Sequence, residues 1–213
     1  MENTNYVDII RNIGQAGVSL DDNADKALSD LRDIAGKLDE SIPYYDGHAL
    51  RVCDYSLKIG RKMGLPGDDL VTLEIAALFH DVGKITLDKD VLMKTRAIDE
   101  TERQRLQSHA LRGFYILDGF DNLEKAAVAV RSHHESYDGS GYPFGLAADK
   151  IALCARIIAV ADAFDAMTSK RPYRKAFKRQ EAMQELSRLS GIRFDPQIVG
   201  KFIKILVSDA PSR

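Results

Sequence analysis

The 213-residue sequence has no tryptophan, only two cysteines and six prolines. Cys53 and Cys154 do not form a CxxC pair, and each lies in an apolar helical pattern, so we expect buried, reduced thiols and no disulfide. The most apolar segment, residues 151–167, is interrupted by Arg156, Asp162 and Asp165, which excludes a membrane span there. These absences favour a protein with an ordinary hydrophobic core.

An excess of charge of one sign is also absent. Thirty basic and 32 acidic residues give a formal net charge of −2, so no overall basic field favours long nucleic acids. The first residues include Glu2 and Asp8 and lack the apolar centre of a secretion signal. We therefore expect a cytoplasmic protein.

Apolar residues recur at helical spacing along most of the chain, and no convincing alternating strand pattern is present. We predict an all-α fold, a single bundle of about seven or eight helices. Residues 1–25 are predicted to be an N-terminal lead-in, flexible or a short helix, and residues 26–208 to form the domain.

Start and stop signals bound several of these helices. They are Gly64 with Pro66, Gly83, Asp99 with Glu102, Asp121 with Glu124, and Asp195 with Pro196. Gly83 suits a left-handed helix end directly after His80 and Asp81. Asp99 is predicted to begin a helix that carries His109 and continues to Leu117.

Two of the five histidines, His133 and His134, are adjacent and precede a turn rich in glycine. Neighbouring side chains on a helix point about 100° apart, so one metal held by both is easiest at a helix end. His48, His80 and His109 also lie near predicted helix ends or on inner faces. A single histidine is more often a hydrogen-bonded core or surface residue, but this interpretation weakens when every histidine lies beside another ligand type or a helix end.

Imidazole and carboxylate groups without thiolate are typical of iron, manganese or zinc sites that perform chemistry. Two metals that share a carboxylate can bind a phosphate and generate a nucleophile. A cluster of cations follows the last predicted ligand helix: Lys170, Arg171, Arg174, Lys175, Lys178 and Arg179. Most of these are expected to be solvated, but Arg171 and Arg174 flank Pro172–Tyr173 and are well suited to bidentate phosphate binding.

The His80–Asp81 doublet resembles that of the HD phosphohydrolases. His133-His134-Glu135-x-x-Asp138-Gly139-x-Gly141-Tyr142-Pro143 closely resembles the signature of the HD-GYP subclass. Four further motifs match in order: residues 155–158, 162–168, 171–174 and 194–196. The resemblance extends from about residue 30 to residue 205.

The resemblance implies a metal-dependent phosphodiesterase of bacterial second-messenger signalling. Such an enzyme hydrolyses cyclic di-GMP to pGpG or GMP through a hydroxide that bridges two divalent ions. Iron or manganese is favoured, and zinc, cobalt or nickel would also suit the ligands. The implied metal ligands are His48, His80, Asp81, His109, His133, His134 and Asp162, with Asp81 bridging. Lys84, Tyr142, Arg171 and Arg174 match substrate-contacting positions, and Asp81 and Lys84 are the implied catalytic residues.

Tyr142 lies between Gly141 and Pro143, where we expect its ring to be exposed for a base to stack on. Asp165 lies one turn after Asp162 and is expected to support a ligand rather than to bind metal. Glu135 is a second candidate for such a supporting role.

The sequence departs from the family at one informative position. Some members have a glutamate four residues before the first histidine that helps to hold a third metal, and Tyr44 stands there in this chain. We therefore predict two metals, although Asp46 would approach if its loop bent.

Three alternatives remain open from the sequence. The sequence is equally compatible with 3′,3′-cyclic GMP-AMP as the substrate. A non-catalytic sensing or adaptor module would use the same scaffold. A general nucleotide phosphohydrolase is disfavoured by the Gly-Tyr-Pro loop. A homodimer or a regulatory protein partner is also left open.

Overall fold

Helices provide nearly all the regular structure of the computed structural model, which describes residues 6–18, 23–41, 46–92, 94, 98–170 and 175–209. The α-helices are α1 (Tyr6–Val18), α2 (Ala24–Ser41), α3 (His48–Met63), α4 (Gly67–Leu78), α5 (Lys89–Leu92), α6 (Glu100–Gln107), α7 (His109–Leu117), α8 (Glu124–Ser132), α9 (Leu153–Thr168), α10 (Arg179–Arg188) and α11 (Pro196–Ser208). A 3₁₀ turn spans Val82–Thr86 and another spans Ala148–Lys150. In the described ranges, β-structure is limited to one isolated bridge between Ser190 and Phe194.

Helices α3, α4 and α9 pack together at the centre of the bundle. Their inward faces supply fully buried apolar side chains such as Val52, Leu73 and Ile158. Burial of this apolar surface is the dominant favourable contribution to folding. The central helices also carry or adjoin four of the predicted metal ligands, so the core fixes part of the site.

Several predicted helix boundaries are confirmed. Helix α3 ends at Gly64, whose φ of 83° is left-handed and whose N–H bonds to the carbonyls of Gly60 and Arg61. The predicted capping box at Asp99 and Glu102 is present at the start of α6. Helix α11 starts at Pro196, and the Asp195 carboxylate accepts a hydrogen bond from the backbone N–H of Gln197.

Other boundary predictions are wrong. The helix predicted from Asp99 to Leu117 divides at Ser108, whose N–H bonds to both Gln104 and Arg105 carbonyls and tightens the chain there. Helix α8 starts after Leu123 rather than at Asp121, because Asn122 takes a left-handed φ of 67°.

The all-α prediction is confirmed, and the structure has more helices than the seven or eight predicted. Eleven α-helices lie within the described residues, because α1 was predicted only as one alternative, the short α5 was not foreseen, and one predicted helix is split into α6 and α7. The first 18 residues include α1, in agreement with one of the two alternatives for the lead-in. None of the helices in the described ranges is long and apolar enough to cross a membrane.

Candidate metal centre

The ends of four helices and the middle of a fifth bring the predicted ligands together. His48 is the first residue of α3, and His109 is the first residue of α7. His80 and Asp81 follow the end of α4, and the pair at 133–134 follows the end of α8. Asp162 projects from within α9. Each ligand thus sits where a helix begins, ends or faces the core.

Gly83 allows the segment after Asp81 to approach α7 closely. A Cβ atom at residue 83 would lie 2.0 Å from the carbonyl oxygen of His109 and 2.6 Å from the backbone nitrogen of Gly113. The predicted left-handed helix end at Gly83 is wrong, since Gly83 is not among the residues with positive φ. The glycine is required for backbone contact, which brings Asp81 to His109.

The ligands form two adjacent groups. One comprises His48, His80 and Asp162, and the other comprises Asp81, His109, His133 and His134. Within each group, one nitrogen or carboxylate oxygen per residue lies within 4.8 Å of all the others. All seven predicted ligands are therefore brought together, in a donor set of imidazole and carboxylate that suits divalent metal ions.

Asp81 lies between the two groups and directs one oxygen toward each. Its Oδ1 is 3.1 Å from Nε2 of His109 and 3.9 Å from Nε2 of His133. Its Oδ2 is 3.4 Å from Nε2 of His80 and 4.0 Å from Nε2 of His48. A single carboxylate placed in this way has the arrangement of a bridging ligand.

Four of the histidines are held through Nδ1, which leaves Nε2 to face the centre. The Nδ1 atoms of His80, His109 and His133 lie 2.8, 2.5 and 2.6 Å from the carbonyl oxygens of Ala77, Leu106 and Val130, respectively. Donation from Nδ1 fixes the tautomer whose Nε2 carries the lone pair that a metal needs. Nε2 of His80 is buried and makes no hydrogen bond within the described part of the chain. These residues fit divalent metal ions.

The same anchoring at His48 comes from a side chain. Nδ1 of His48 is 2.8 Å from Oδ2 of Asp165, as expected for a supporting role of Asp165. Burial lowers the pKa of His48, but hydrogen bonds to Asp162 and Asp165 outweigh burial and raise this pKa to about 9. Without metal, His48 therefore carries a proton at neutral pH, and metal binding must displace it.

The other group is electrostatically different. Burial and the neighbouring imidazoles of His80 and His109 lower the pKa of His133 to about 3. Burial and the imidazoles of His133 and His109 also hold the pKa of His134 well below its usual range. Both side chains are thus neutral over the physiological pH range, which is the form that binds metal.

The carboxylates are held in the ionised form. Burial raises the pKa of Asp81, but the charges of Lys84 and His80 outweigh burial and hold that pKa well below its usual range. Lys84 Nζ is 2.6 Å from Asp81 Oδ2, so the predicted catalytic lysine lies at the centre. Burial likewise opposes ionisation of Asp162, and hydrogen bonding to His48 overcomes it and lowers the pKa of Asp162.

The Gly-Tyr-Pro loop covers the second ligand group. The Tyr142 ring stacks on His134 with centroids 4.9 Å apart and planes inclined by 28°. The ring is half-buried rather than fully exposed as expected. A Cβ at Gly141 would lie 2.2 Å from the backbone nitrogen of Ser136, so only glycine allows this fold of the loop.

Glu135 fastens the loop instead of supporting a metal ligand. The side chain is buried, Oε1 accepts from the N–H of Phe144 at 2.8 Å, and Oε2 accepts from the N–H of Leu146 at 3.1 Å. These two bonds give Glu135 a role in shaping the Gly-Tyr-Pro loop.

Arg171, Arg174 and Tyr44 lie outside the described residues. Sequence reasoning missed two supporting residues of the first ligand group. Arg51 binds Asp165, and the buried Asp39 accepts a hydrogen bond at 2.8 Å from the N–H of Ala49. Arg51 follows His48 by three residues, a helical spacing that would have placed the two side chains on one face.

Comparison with known proteins agrees with this site. The HD domain family model matches residues 28–198. A cyclic di-GMP phosphodiesterase response regulator, RpfG of Xanthomonas campestris, is 36% identical over 179 residues, which cover 81% of this chain and 47% of RpfG. The 3′3′-cGAMP-specific phosphodiesterase 3 of Vibrio cholerae is 35% identical over 193 residues, or 90% of this chain and 41% of that protein.

A solved structure shows the same fold. The crystal structure of a cyclic GMP-AMP-specific phosphodiesterase from V. cholerae superposes with a TM-score of 0.66 at 22% identity, covering 84% of this chain and 48% of that one. The chain belongs to the HD domain family, and residues 133–143 resemble the signature of the HD-GYP subclass. It spans about half the length of the curated relatives that it matches.

Proposed function

We propose that the protein is a metal-dependent phosphodiesterase that hydrolyses cyclic di-GMP to pGpG or GMP. The position of Asp81 carries this proposal, because its two oxygens face two separate groups of imidazole and carboxylate ligands. This arrangement supports a centre of two divalent ions, with iron or manganese favoured by the absence of thiolate ligands.

Bound ions would supply Lewis acidity toward a phosphoryl oxygen and would activate water for attack on phosphorus. In the net reaction, water adds to phosphorus and the bond to the 3′-oxygen breaks. Lys84 is positioned to stabilise negative charge that develops on the phosphoryl oxygens. Asp81 holds the lysine in place through their 2.6 Å contact.

Substrate binding is assigned to the rim of the centre. Tyr142 presents one ring face to His134, and its other face is the candidate stacking surface for a purine. Arg171 and Arg174 are proposed to clamp phosphate, on the basis of their residue type and position after α9. Proteins similar to this chain are named for cyclic di-GMP and for 3′3′-cGAMP, so 3′,3′-cyclic GMP-AMP is the second candidate substrate.

The experiment is hydrolysis by the purified protein, stripped of metal and then reconstituted with Mn²⁺ or, anaerobically, with Fe²⁺. Cyclic di-GMP, 3′,3′-cyclic GMP-AMP and cyclic di-AMP are supplied in parallel, and products are separated by chromatography. We expect pGpG or GMP from cyclic di-GMP only after reconstitution. Asp81→Asn should be inactive, whereas Asp118→Asn, at the exposed end of α7, should match the unaltered protein. Full activity of the stripped protein or of Asp81→Asn would refute the proposal.

We also propose that residues 26–208 form the catalytic domain and that residues 1–25 precede it. The family match over residues 28–198 supports these limits. A cytoplasmic location is proposed because both cysteines are free. We also propose that the protein forms a homodimer or binds a regulatory protein partner.

A further inference from the structure

Arg51 connects the turn before His48 to the last turn of α9 and the residue that follows it. It lies on α3, three residues after His48, and its guanidinium crosses to the last turn of α9. Nε is 2.6 Å from Oδ1 of Asp165, and Nη2 is 3.1 Å from Oδ2 of the same carboxylate. This bidentate pairing fixes the plane of the Asp165 carboxylate.

The Asp165 carboxylate is held on both of its oxygens. Its side chain is 2% exposed, and its Oδ2 also contacts Nδ1 of His48 at 2.8 Å. Asp165 follows Asp162 by three residues on α9, so the two carboxylates project from the same face. Asp162 lies 3.4 Å from Nε2 of His48. The His48 ring is thus held between two carboxylates of one helix, and Arg51 orients one of them.

The guanidinium also binds both chain segments that flank these side chains. Nη1 donates to the carbonyl of Asp46, and Nη2 is 3.2 Å from the hydroxyl of Ser169. Gly47 adopts a left-handed φ of 66°, and a Cβ there would lie 3.3 Å from Nη1. The turn before His48 is therefore folded against the guanidinium.

We propose that Arg51 is a positioning residue for the metal centre, which acts through Asp165 to set the orientation of His48. This inference rests on the proposed function. Arg51 itself does not contact substrate or metal in this account. Residues that orient metal-bound histidines in this way typically change metal affinity about 10–100-fold when removed.

The charge and the shape of Arg51 make separate predictions. Alanine would leave the buried Asp165 carboxylate without its cation, whereas lysine would restore charge without the planar pair of donors. The His48 ring should therefore lose its orientation to a large extent in Arg51→Ala and to an intermediate extent in Arg51→Lys. If charge alone mattered, Arg51→Lys would match the unaltered protein.

The test measures metal binding directly, by competition of Co²⁺ and Mn²⁺ between the protein and a chelator. The visible spectrum of Co²⁺ additionally reports the ligand geometry. We expect about 10–100-fold weaker binding of one of two ions in Arg51→Ala, a smaller loss in Arg51→Lys, and an altered Co²⁺ spectrum in both. Arg61→Ala is the matched control, because Arg61 is an exposed arginine on the same helix.

The outcomes separate this inference from the function on which it rests. An unaltered protein that binds no ion overturns the proposed function. An unaltered protein that binds two ions, with Arg51→Ala and Arg51→Lys identical to it in affinity and spectrum, overturns only the role of Arg51. Circular dichroism checks the fold of each variant, and if Arg51→Ala does not fold, Arg51→Lys decides the question.

Discussion

Single residues determine whether the segments that carry the ligands can meet. Gly83 has no room for a side chain because the backbone of α7 is in direct contact with it. The buried Asp39 carboxylate accepts a hydrogen bond from the backbone N–H of Ala49, at the start of α3. Neither residue touches a phosphate or a metal in this account, yet both define where His48, His109 and Asp81 lie.

Gly83→Ala should lower the free energy of unfolding by roughly 1–3 kcal/mol, because the added Cβ forces the 3₁₀ turn away from α7. Metal binding by the His109 group should weaken with it. Gly36→Ala is the control, since a Cβ there meets no atom within 4 Å and alanine favours a helix. Equal urea unfolding of the Gly83→Ala variant and the unaltered protein would contradict this account of the contact.

The Asp39 carboxyl predicts a dependence of stability on pH. Burial raises its pKa to about 6 from an ordinary value of 3.8, so the folded state binds a proton more tightly than the unfolded state does. A carboxyl group whose pKa is raised by folding stabilises the folded state at pH values below its pKa in the unfolded state. This contribution is lost as the pH rises toward 6. Asparagine keeps an oxygen for the Ala49 N–H and does not titrate.

Asp39→Asn should therefore gain stability relative to the unaltered protein between pH 4 and pH 7, by about 1–2 kcal/mol. Urea unfolding at several pH values, with chelator present throughout, measures this difference. A difference between the two proteins that does not change with pH would show that Asp39 titrates alike in the folded and unfolded states.

At the scale of elements, the loop after α8 is held in shape by one buried carboxylate. Glu135 accepts two backbone hydrogen bonds from the far side of the Gly-Tyr-Pro turn. Tyr142 lies in the chain between Glu135 and the first of these N–H groups, that of Phe144, and its ring stacks on His134. The loop therefore holds its tyrosine in a fixed orientation, which on the proposed function would lower the entropic cost of substrate binding.

Glu135→Gln should raise KM for the cyclic dinucleotide roughly three- to tenfold, because glutamine has one side-chain oxygen to accept where glutamate has two. The change in kcat and in bound metal should be smaller, since Glu135 does not hold a metal ligand. Glu124→Gln, an exposed substitution in the first turn of α8, is the control. An unchanged KM for Glu135→Gln would contradict the proposed role of the loop.

At the scale of the whole molecule, regular helices and the ligand set were predictable from sequence. Helical periodicity predicted the bundle. Local signals predicted the capping box at Asp99 and the end of α3 at Gly64, because such signals depend on neighbours in the chain. The ligands were available through the resemblance of His80–Asp81 and the 133–143 signature. The structure then showed that these residues form two groups around Asp81.

The residue roles that sequence reasoning missed depend on contacts between separate segments of the chain. The role of Gly83 is set by α7, and that of Glu135 by a loop nine to eleven residues later. Arg51 acts on Asp165, which is 114 residues away. A local pattern contains no information about such partners, so sequence reasoning assigned Gly83 to a helix end and did not identify Arg51.

The proposed two-ion centre around Asp81 is tested most directly by titration of the metal-free protein with Mn²⁺, or with Fe²⁺ under anaerobic conditions. Bound metal per chain and hydrolysis of cyclic di-GMP are measured in the same samples. We predict that metal binding reaches two ions per chain and that most activity appears with the second. Full activity at one ion per chain, or hydrolysis that persists after chelation, would contradict the account.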